Sequence, residues 1–260
     1  MMIGFIGGGK MAEGIISAME DPGRASVVER DPERRRYLAK KYGVRVAKSL
    51  EDLAADADII FLAVRPQDVA DIAAVTRGLF VSRHTIVSIV AGKKLCELRK
   101  VFGEDPCLVR VMPNLCLRAK AGMCAICAGE GVKRKHLDAI IAILGGAGET
   151  IELDERHFDA VTALSGSGPA YFAYMEKAMA EAGVKLGLPP EAARLLAGQT
   201  MYGTAKFLRE SGVDLGEFIS GVATKGGTTA AGLEVLEKSD FGDVVASTLS
   251  AAAKRSEELG

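Results

Sequence analysis

Near its start the sequence reads Met2-Ile-Gly-Phe-Ile6-Gly7-Gly8-Gly9-Lys10-Met11-Ala12. Its apolar first half predicts a short buried strand, and Lys10 to Met19 carries apolar residues at helical spacing. The glycines between them match the pattern G-x-G-x-x-G/A, which is specific only in this strand-turn-helix context. The first glycine of such a turn makes it tight, the second leaves room for a pyrophosphate, and the final small residue lets the helix pack on the strand. We therefore expect Ile6, Gly7, Gly8, Gly9, Lys10, Met11 and Ala12 to bind a dinucleotide.

The first half of the chain continues this alternation of strands and helices. Further strands are predicted at Ser26 to Glu29, Ile59 to Val64, Thr85 to Val90, Leu108 to Met112, Gly122 to Ala128 and Glu149 to Leu153. Helical segments between them include Pro32 to Lys41, Pro66 to Thr76 and Val132 to Leu144. Strands that are apolar on both faces suit a parallel sheet covered by helices on each side. The pattern predicts an α/β fold with a Rossmann-type doubly wound sheet over residues 1–155.

The pattern changes after the last predicted strand. From Phe158 onward the sequence predicts only helices, at Pro169 to Lys185, Pro190 to Arg209, Gly227 to Lys238 and Gly242 to Leu259. Residues 156–260 are thus expected to form an all-helical domain. Because this part is short and rich in Ala and Gly, we expect its core to be too small alone, and predict a homodimer or higher homo-oligomer through these helices.

Composition narrows the class of partner. The 260 residues carry 33 Lys and Arg against 34 Asp and Glu, so no overall charge attracts nucleic acid or an anionic membrane. The apolar runs are shorter than the roughly 20 residues that cross a bilayer. Five cysteines are an odd number and argue against a disulfide framework. These features predict a cytoplasmic protein that acts on a small molecule.

The end of the second predicted strand is where the ribose of a dinucleotide is recognised. Glu29 is able to accept a hydrogen bond from a ribose 2′-hydroxyl, which favours NAD. Arg30 is able to pair with a 2′-phosphate, which favours NADP. The sequence leaves the choice between the two cofactors open.

Other cofactor candidates follow later strands. Ala63, Val64, Arg65 and Pro66 end a buried strand at the sheet edge where doubly wound folds bind ligands, although an exposed structural role suits Arg65 equally well. Ser49 precedes an apolar helical run, so helix capping is its main expected role even if it also faces the cofactor.

A second glycine-rich segment, Ala223-Thr-Lys-Gly-Gly-Thr-Thr229, leads into an apolar helical run. Free N–H groups at a helix start suit a carboxylate, and a threonine hydroxyl is able to donate to or accept from a nitrogen. A glycine turn with a threonine N-cap is the competing interpretation.

Gly221 to Glu237 resembles the signature segment of the pyrroline-5-carboxylate reductase family. Four other segments resemble that family in the same order, and with the N-terminal glycines the match covers essentially the whole chain. These segments are Ala63 to Gln67, Ser88 to Gly92, Arg110 to Asn114 and Ala163 to Tyr171. Asn114 becomes a further cofactor candidate by this resemblance.

The resemblance implies a Rossmann domain followed by a helical dimerisation domain that interlocks with its partner, often within ring assemblies. It implies reduction of 1-pyrroline-5-carboxylate, a cyclic imino acid, to L-proline with NADPH or NADH, the last step of proline biosynthesis. It also implies that Thr229 hydrogen-bonds the imine nitrogen. The backbone of Thr224, Lys225, Gly226, Gly227 and Thr228 would receive the substrate carboxylate.

Some residues depart from the family pattern and keep alternatives open. Lys225 stands where the family usually has proline, and Leu115-Cys116 replaces the usual Thr-Pro. A different cyclic imine, or a catalytically silent dinucleotide sensor, is therefore also considered. A hydroxyacid dehydrogenase is disfavoured, because Phe172 occupies the region where those enzymes place a catalytic lysine.

The cysteines and histidines of the sequence are not predicted to bind a metal or to act in catalysis. Cys124 and Cys127 have a metal-like spacing, but in a strand residues three apart face opposite sides. His84, His136 and His157 are expected to be solvated surface side chains.

Overall fold

A computed structural model describes residues 1–259, which divide into two compact units. The first unit is Met1–Ser167 together with the chain from Ala252 onward, and the second is Gly168–Ala251. The predicted domain boundary at residues 155/156 stays a prediction, since compactness and domain function need not divide a chain at the same residue. No helix in the range 1–259 has the length and apolar character that a membrane span requires.

The first unit is built on one eight-stranded sheet with strand order β3-β2-β1-β4-β5-β6-β7-β8. The order reverses at β1, which pairs with β2 on one side and β4 on the other. Doubly wound sheets bind ligands at such a reversal. The strands are β1 Ile3–Ile6, β2 Ala25–Val28, β3 Arg45–Val46, β4 Ile59–Leu62, β5 Thr85–Ser88, β6 Cys107–Pro113, β7 Gly122–Ala128 and β8 Gly148–Glu152.

Seven α-helices lie between or after these strands. They are α1 Lys10–Ala18, α2 Pro32–Tyr42, α3 Leu50–Asp56, α4 Val69–Val75, α5 Leu95–Phe102, α6 Arg134–Gly145 and α7 Phe158–Val161. Short 3₁₀ turns lead into α4 and α7, at Pro66–Asp68 and Glu155–His157. The alternation of strands and helices predicted for this half is confirmed.

The sheet is not wholly parallel, which corrects the sequence prediction. β7 runs antiparallel to β6, with Arg110 opposite Cys127, and the remaining strand pairs are parallel. Only residues 114–121 connect β6 to β7, and the 3₁₀ turn Leu115–Ala119 fills most of that connection. A parallel return needs a crossover of a dozen or more residues, so this short connection imposes the antiparallel pairing.

Two apolar layers cover the sheet, one on each face. Side chains alternate along each strand, so Phe5 and Phe61 stack on one face with their ring centroids 5.0 Å apart. Ile6, Ile60 and Leu62 point to the other face, where they pack with Leu53 of α3. Burial on both faces explains why these strands read as continuous apolar runs.

The second unit contains only helices: α8 Gly168–Lys185, α9 Pro190–Ser211, α10 Leu215–Val222, α11 Thr228–Glu237 and the first part of α12 Phe241–Leu259. A Cβ added to Gly183 on α8 would lie 3.3 Å from the Cβ of Ala193 on α9, so small residues let these helices approach closely. Many large apolar side chains of this unit remain exposed: Phe172, Tyr174, Met179, Leu186, Leu195, Leu196, Tyr202, Phe207, Leu215, Ile219, Val222, Val235 and Val244.

Candidate active site

A tight glycine turn connects β1 to α1. Gly7 adopts φ +92°, and its N–H donates to the carbonyl of Val28 at 2.8 Å. A Cβ on Gly7 would lie 2.5 Å from the carbonyl oxygen of Ala63, so this position has room only for glycine. The turn therefore joins the carboxyl ends of β1, β2 and β4.

The helix start after this turn has free backbone donors. Gly9 caps α1 without any side-chain hydrogen bond, and a Cβ placed on it would meet no atom within 4 Å. Ala12 is fully buried one turn later, which brings α1 close to the sheet. The first N–H groups of α1 thus face open space beside a glycine, the arrangement that binds a pyrophosphate.

A cleft opens at this end of the sheet. It has a volume of about 330 Å³ and joins the ends of β1, β2 and β4 to the starts of α3 and α4. Its lining residues are Ile6, Gly7, Gly9, Val28, Glu29, Arg30, Leu50, Ala63, Val64, Arg65, Asp68, Asp71 and Ile72. Chain segments that are far apart in sequence therefore meet at one cleft.

Glu29 and Arg30, the two candidates for ribose recognition, differ in their partners. Glu29 accepts hydrogen bonds from the N–H of Gly8 at 2.7 Å and from the N–H of Asp31 at 2.9 Å. Arg30 is exposed at the cleft, and its guanidinium makes no hydrogen bond or ion pair within residues 1–259. Glu29 is thus already engaged by the backbone, whereas the charge of Arg30 is available to a ligand.

Three further cofactor candidates have identifiable structural contacts. Ser49 accepts a hydrogen bond from the N–H of Asp52 at 3.2 Å, which confirms its capping role, and it is not among the lining residues of the cleft. Arg65 lines the cleft and pairs with Asp68 at 3.0 Å. Pro66 opens the 3₁₀ turn that follows.

Asn114 stands at the end of β6, outside the lining of the cleft. Its Oδ1 accepts from the N–H groups of Cys116 and Met123, both at 3.2 Å, and its Nδ2 donates to Ser165 at 3.4 Å. These bonds hold the β6–β7 connection, so a structural role is established for Asn114. Its role toward the cofactor stays a prediction.

The predicted substrate segment lies in the second unit, between α10 and α11. Gly226 adopts φ +75°, and the N–H of Gly227 donates to the carbonyl of Thr224 at 2.9 Å, which closes a tight turn. Gly227 is the N-cap of α11 and provides no side-chain cap, so the competing interpretation of a threonine N-cap is wrong.

Hydroxyl and backbone groups of this segment remain available to a ligand. Thr228 and Thr229 form the first turn of α11, and Lys225 is exposed. In the chain as far as residue 259, no hydrogen bond engages the hydroxyls of Thr224, Thr228 and Thr229. A helix N-terminus with free N–H groups and adjacent hydroxyls suits a small carboxylate.

Two of the histidines are not on the surface, which corrects the sequence expectation. His84 is 2% exposed: its Nδ1 accepts from the N–H of Val81 at 2.8 Å, so Nε2 is the nitrogen that donates to the carbonyl of Ala54. His136 is 7% exposed, and its Nδ1 lies 2.7 Å from the hydroxyl of Thr85. Burial lowers the pKa of both imidazoles. His84 thus bonds the last turn of α3, His136 bonds the start of β5, and neither lines the cleft.

The cysteines lie apart from the cleft. Cys124 and Cys127 are on β7, where Cys124 is buried in the core and burial raises its thiol pKa to about 12. The described residues 1–259 contain no group of three or more His, Cys, Asp or Glu side chains arranged to hold a metal ion.

Sequence and structure comparisons place this arrangement among known proteins. A family model described as pyrroline-5-carboxylate reductase dimerisation matches residues 155–259, and one described as NADP oxidoreductase, coenzyme F420-dependent, matches residues 2–92. A pyrroline-5-carboxylate reductase of Synechocystis is 39% identical over 100% of this chain and 98% of its own length. One from Arabidopsis thaliana is 37% identical over 99% of this chain and 95% of its own length.

Solved structures of similar proteins superpose on this chain over nearly its full length. A pyrroline-5-carboxylate reductase from Coxiella burnetii superposes with a TM-score of 0.95 at 30% identity and covers 99% of this chain and 98% of its own. A pyrroline carboxylate reductase from Plasmodium falciparum with NADP bound superposes with a TM-score of 0.84 at 28% identity, covering 100% of this chain and 98% of its own.

Proposed function

This chain belongs to the pyrroline-5-carboxylate reductase family, and we propose that it reduces 1-pyrroline-5-carboxylate to L-proline, the last step of proline biosynthesis. The hydride donor is NADPH or NADH. The observation that carries the proposal is the glycine turn of Gly7 and Gly9 at the point where the strand order of the sheet reverses. That turn opens on a cleft with an available cation, Arg30.

The residues around this cleft fit a dinucleotide. Gly9 leaves open space beside the free N–H groups of α1, where a side chain would otherwise obstruct a pyrophosphate. Ala63 and Val64 follow β4 at the cleft and would flank the nicotinamide half with backbone and small apolar groups. When bound, the reduced nicotinamide supplies the hydride.

We propose NADPH as the preferred donor. Glu29 already accepts from two backbone N–H groups, those of Gly8 and Asp31. A 2′-phosphate would add a strong acceptor next to the exposed guanidinium of Arg30, and arginine pairs well with phosphate. A bare 2′-hydroxyl would gain much less from the same cation.

The segment Thr224 to Thr229 is the proposed substrate site. Backbone N–H groups at the start of α11 would receive the carboxylate, and the Thr229 hydroxyl would hydrogen-bond the ring nitrogen. A protonated imine is already electrophilic, so these groups need only hold it in an orientation that leaves its carbon open to hydride. No histidine or carboxylate base is required for this reaction.

We propose that the protein is a homodimer or a larger homo-oligomer, assembled through the helices of residues 156–260. The exposed apolar side chains of the second unit support this, because monomeric proteins rarely expose such large apolar surfaces. Leu195 on α9 is 71% exposed and Phe172 on α8 is 66% exposed. A second copy of the chain would cover these side chains.

We also propose a cytoplasmic location. All five cysteines are free thiols, and Cys124 is part of the apolar core. Thiols remain reduced in the cytoplasm, where proline biosynthesis would also find its reduced cofactor.

The proposal is tested by following nicotinamide absorbance when the purified protein meets a panel of imines. The panel contains 1-pyrroline-5-carboxylate, its six-membered ring homologue and an acyclic imino acid, each with NADPH and with NADH. We expect rapid oxidation of NADPH with the five-membered ring. Faster turnover of the larger ring would assign a different cyclic imine, in keeping with Lys225 in the substrate segment. Dinucleotide binding without turnover of any imine would favour a sensor.

A further inference from the structure

We propose that Arg34 is a positioning residue that fixes the glycine turn for dinucleotide binding, and that Glu13 holds Arg34 in place. The inference rests on the proposed function, because it assumes that the dinucleotide pyrophosphate binds at this turn. Neither residue lines the cleft. Each would therefore act through the backbone of Gly8 and Gly9.

Arg34 lies on α2 and reaches across to the turn. Its Nε donates to the carbonyl of Gly8 at 2.5 Å, and its Nη2 donates to the carbonyl of Gly9 at 3.2 Å. Gly8 is also held through its N–H, which donates to Glu29 at 2.7 Å. The side chains of Arg34 and Glu29 thus hold three consecutive peptide groups of the turn.

This restraint matters because glycine has more backbone freedom than any other residue. Three successive glycines, Gly7 to Gly9, must keep their peptide planes oriented so that the free N–H groups at the start of α1 face the ligand. When a ligand itself has to order such a loop, the lost conformational entropy reduces the affinity. Two charge-assisted bonds from one rigid guanidinium remove much of that loss before the dinucleotide arrives.

Glu13 in the first turn of α1 anchors the guanidinium. Its carboxylate accepts from Nη2 of Arg34 at 2.6 Å, from the hydroxyls of Tyr37 and Tyr42 at 2.8 and 2.9 Å, and from Lys41 at 3.1 Å. Burial alone would raise the pKa of Glu13, but these four donors lower it to about 2. The anchor therefore remains charged at every pH at which the enzyme would work.

A purely structural role, in which the ion pair only holds α2 against α1, makes a different prediction. Loss of such a contact would lower the stability of the fold without a selective effect on the dinucleotide. A positioning role weakens dinucleotide binding and leaves turnover at saturation intact, since none of these residues contacts the substrate. The two roles are therefore separated by the division of the effect between KM and kcat.

The test uses the full-length variants Arg34→Met, Glu13→Gln and their combination, with Arg36→Met as the matched control. Arg36 lies on the same helix, its side chain is 78% exposed, and its pair with Glu33 is 4.0 Å long. For each variant we would measure the Kd of NADPH without substrate and the midpoint of urea unfolding. We would also measure kcat and the KM of NADPH with 1-pyrroline-5-carboxylate as substrate.

We expect Arg34→Met to raise the Kd and KM of NADPH about tenfold, which corresponds to about 1.4 kcal/mol, with kcat unchanged. The combined variant should be no weaker than Arg34→Met, because Glu13 acts through Arg34 and the two effects are not additive. Arg34→Lys keeps the charge and is able to reach one carbonyl, so it should bind NADPH with intermediate affinity. If Arg34→Met does not fold, the NADPH affinity of Arg34→Lys is compared with that of the wild type instead.

Equal NADPH affinity in the wild type, Arg34→Met and Arg34→Lys would overturn the inference and leave the proposed function intact. Failure of the wild type to bind NADPH or NADH would instead refute the proposed function.

Discussion

At the scale of single residues, substitutions of Gly7 and Gly9 should affect different properties: the unfolding free energy at Gly7 and NADPH binding at Gly9. Gly7→Ala places a methyl group 2.5 Å from the carbonyl of Ala63 at φ +92°, so the variant should lose about 1–3 kcal/mol of unfolding free energy. Gly9→Ala meets no atom and keeps φ −64°, so its stability should match the wild type. Its methyl group would nevertheless occupy the pyrophosphate space and weaken NADPH binding. Urea unfolding and NADPH titration measure both effects, and normal NADPH affinity in Gly9→Ala would contradict the proposed pyrophosphate site.

The proposed preference for NADPH over NADH depends on Arg30. Because a hydrogen bond to a charged group contributes about 1.5–3 kcal/mol, Arg30→Ala should reduce the ratio of kcat/KM for NADPH over NADH by at least about tenfold. The exposed Arg36→Ala serves as the control for a general loss of positive charge. An unchanged ratio in Arg30→Ala would mean that other residues recognise the 2′-phosphate, if one is recognised at all.

Thr229 is the proposed donor or acceptor for the imine nitrogen. Thr229→Ala should lower kcat by about a hundredfold, because the hydroxyl would position the imine for hydride transfer and a misplacement of about 1 Å costs about that much. The Kd of NADPH should stay nearly intact. Thr229→Ser retains the hydroxyl and should keep most of the activity. Steady-state kinetics with direct NADPH titration separate the two quantities. Wild-type kcat in Thr229→Ala would remove this role.

The sequence predicted some of these residue roles and missed others. The spacing of Gly7, Gly9 and Ala12 was sufficient to predict their turn, because each role there depends on the absence of a large side chain. Glu29 and Arg30 were both predicted to recognise the ribose, and both line the cleft, but only the structure shows that they differ, because Glu29 already accepts from the N–H of Gly8. The contact of Arg34 with the turn had no local pattern, since it joins residues 26 positions apart.

At the scale of helices and strands, the sequence predicted those elements that are long enough to show a clear hydrophobic period. Long apolar runs such as β4, and long amphipathic segments such as α9, were found close to their observed bounds. The two-residue strand β3 and the short helices α5 and α10 were not predicted, because too few residues repeat to show a period. The direction of β7 depends on the length of a connection, which strand propensity does not encode.

The exposed apolar face of α9 gives a prediction at this scale. Leu195→Asp should shift the protein towards monomer, because Leu195 is 71% exposed and would place a charge in the proposed helix interface. Val75→Asp is the matched control, since Val75 on α4 of the first unit is 64% exposed. Light-scattering mass at several concentrations distinguishes the variants. Identical masses for wild type, Leu195→Asp and Val75→Asp would place the interface elsewhere.

At the scale of the whole molecule, each unit has the properties that its proposed role needs. The first unit buries its strands on both faces of a sheet and is built to hold a fixed cleft. The second leaves apolar helix faces exposed and has few buried side chains, Ala193 and Ala197 among them. The sequence indicated this contrast through composition and period. It did not distinguish the buried histidines His84 and His136 from surface ones, because their burial results from tertiary packing.

Product formation by the wild-type protein tests the proposed reductase activity most directly. Purified protein is mixed with NADPH and excess 1-pyrroline-5-carboxylate, and NADPH loss and proline are quantified in the same sample by absorbance and chiral chromatography. We predict one molecule of L-proline for each NADPH consumed, and no NADPH loss when the imine is omitted. NADPH loss without proline, or no loss at all with protein that binds the dinucleotide, would contradict the proposed reduction of the imine to proline.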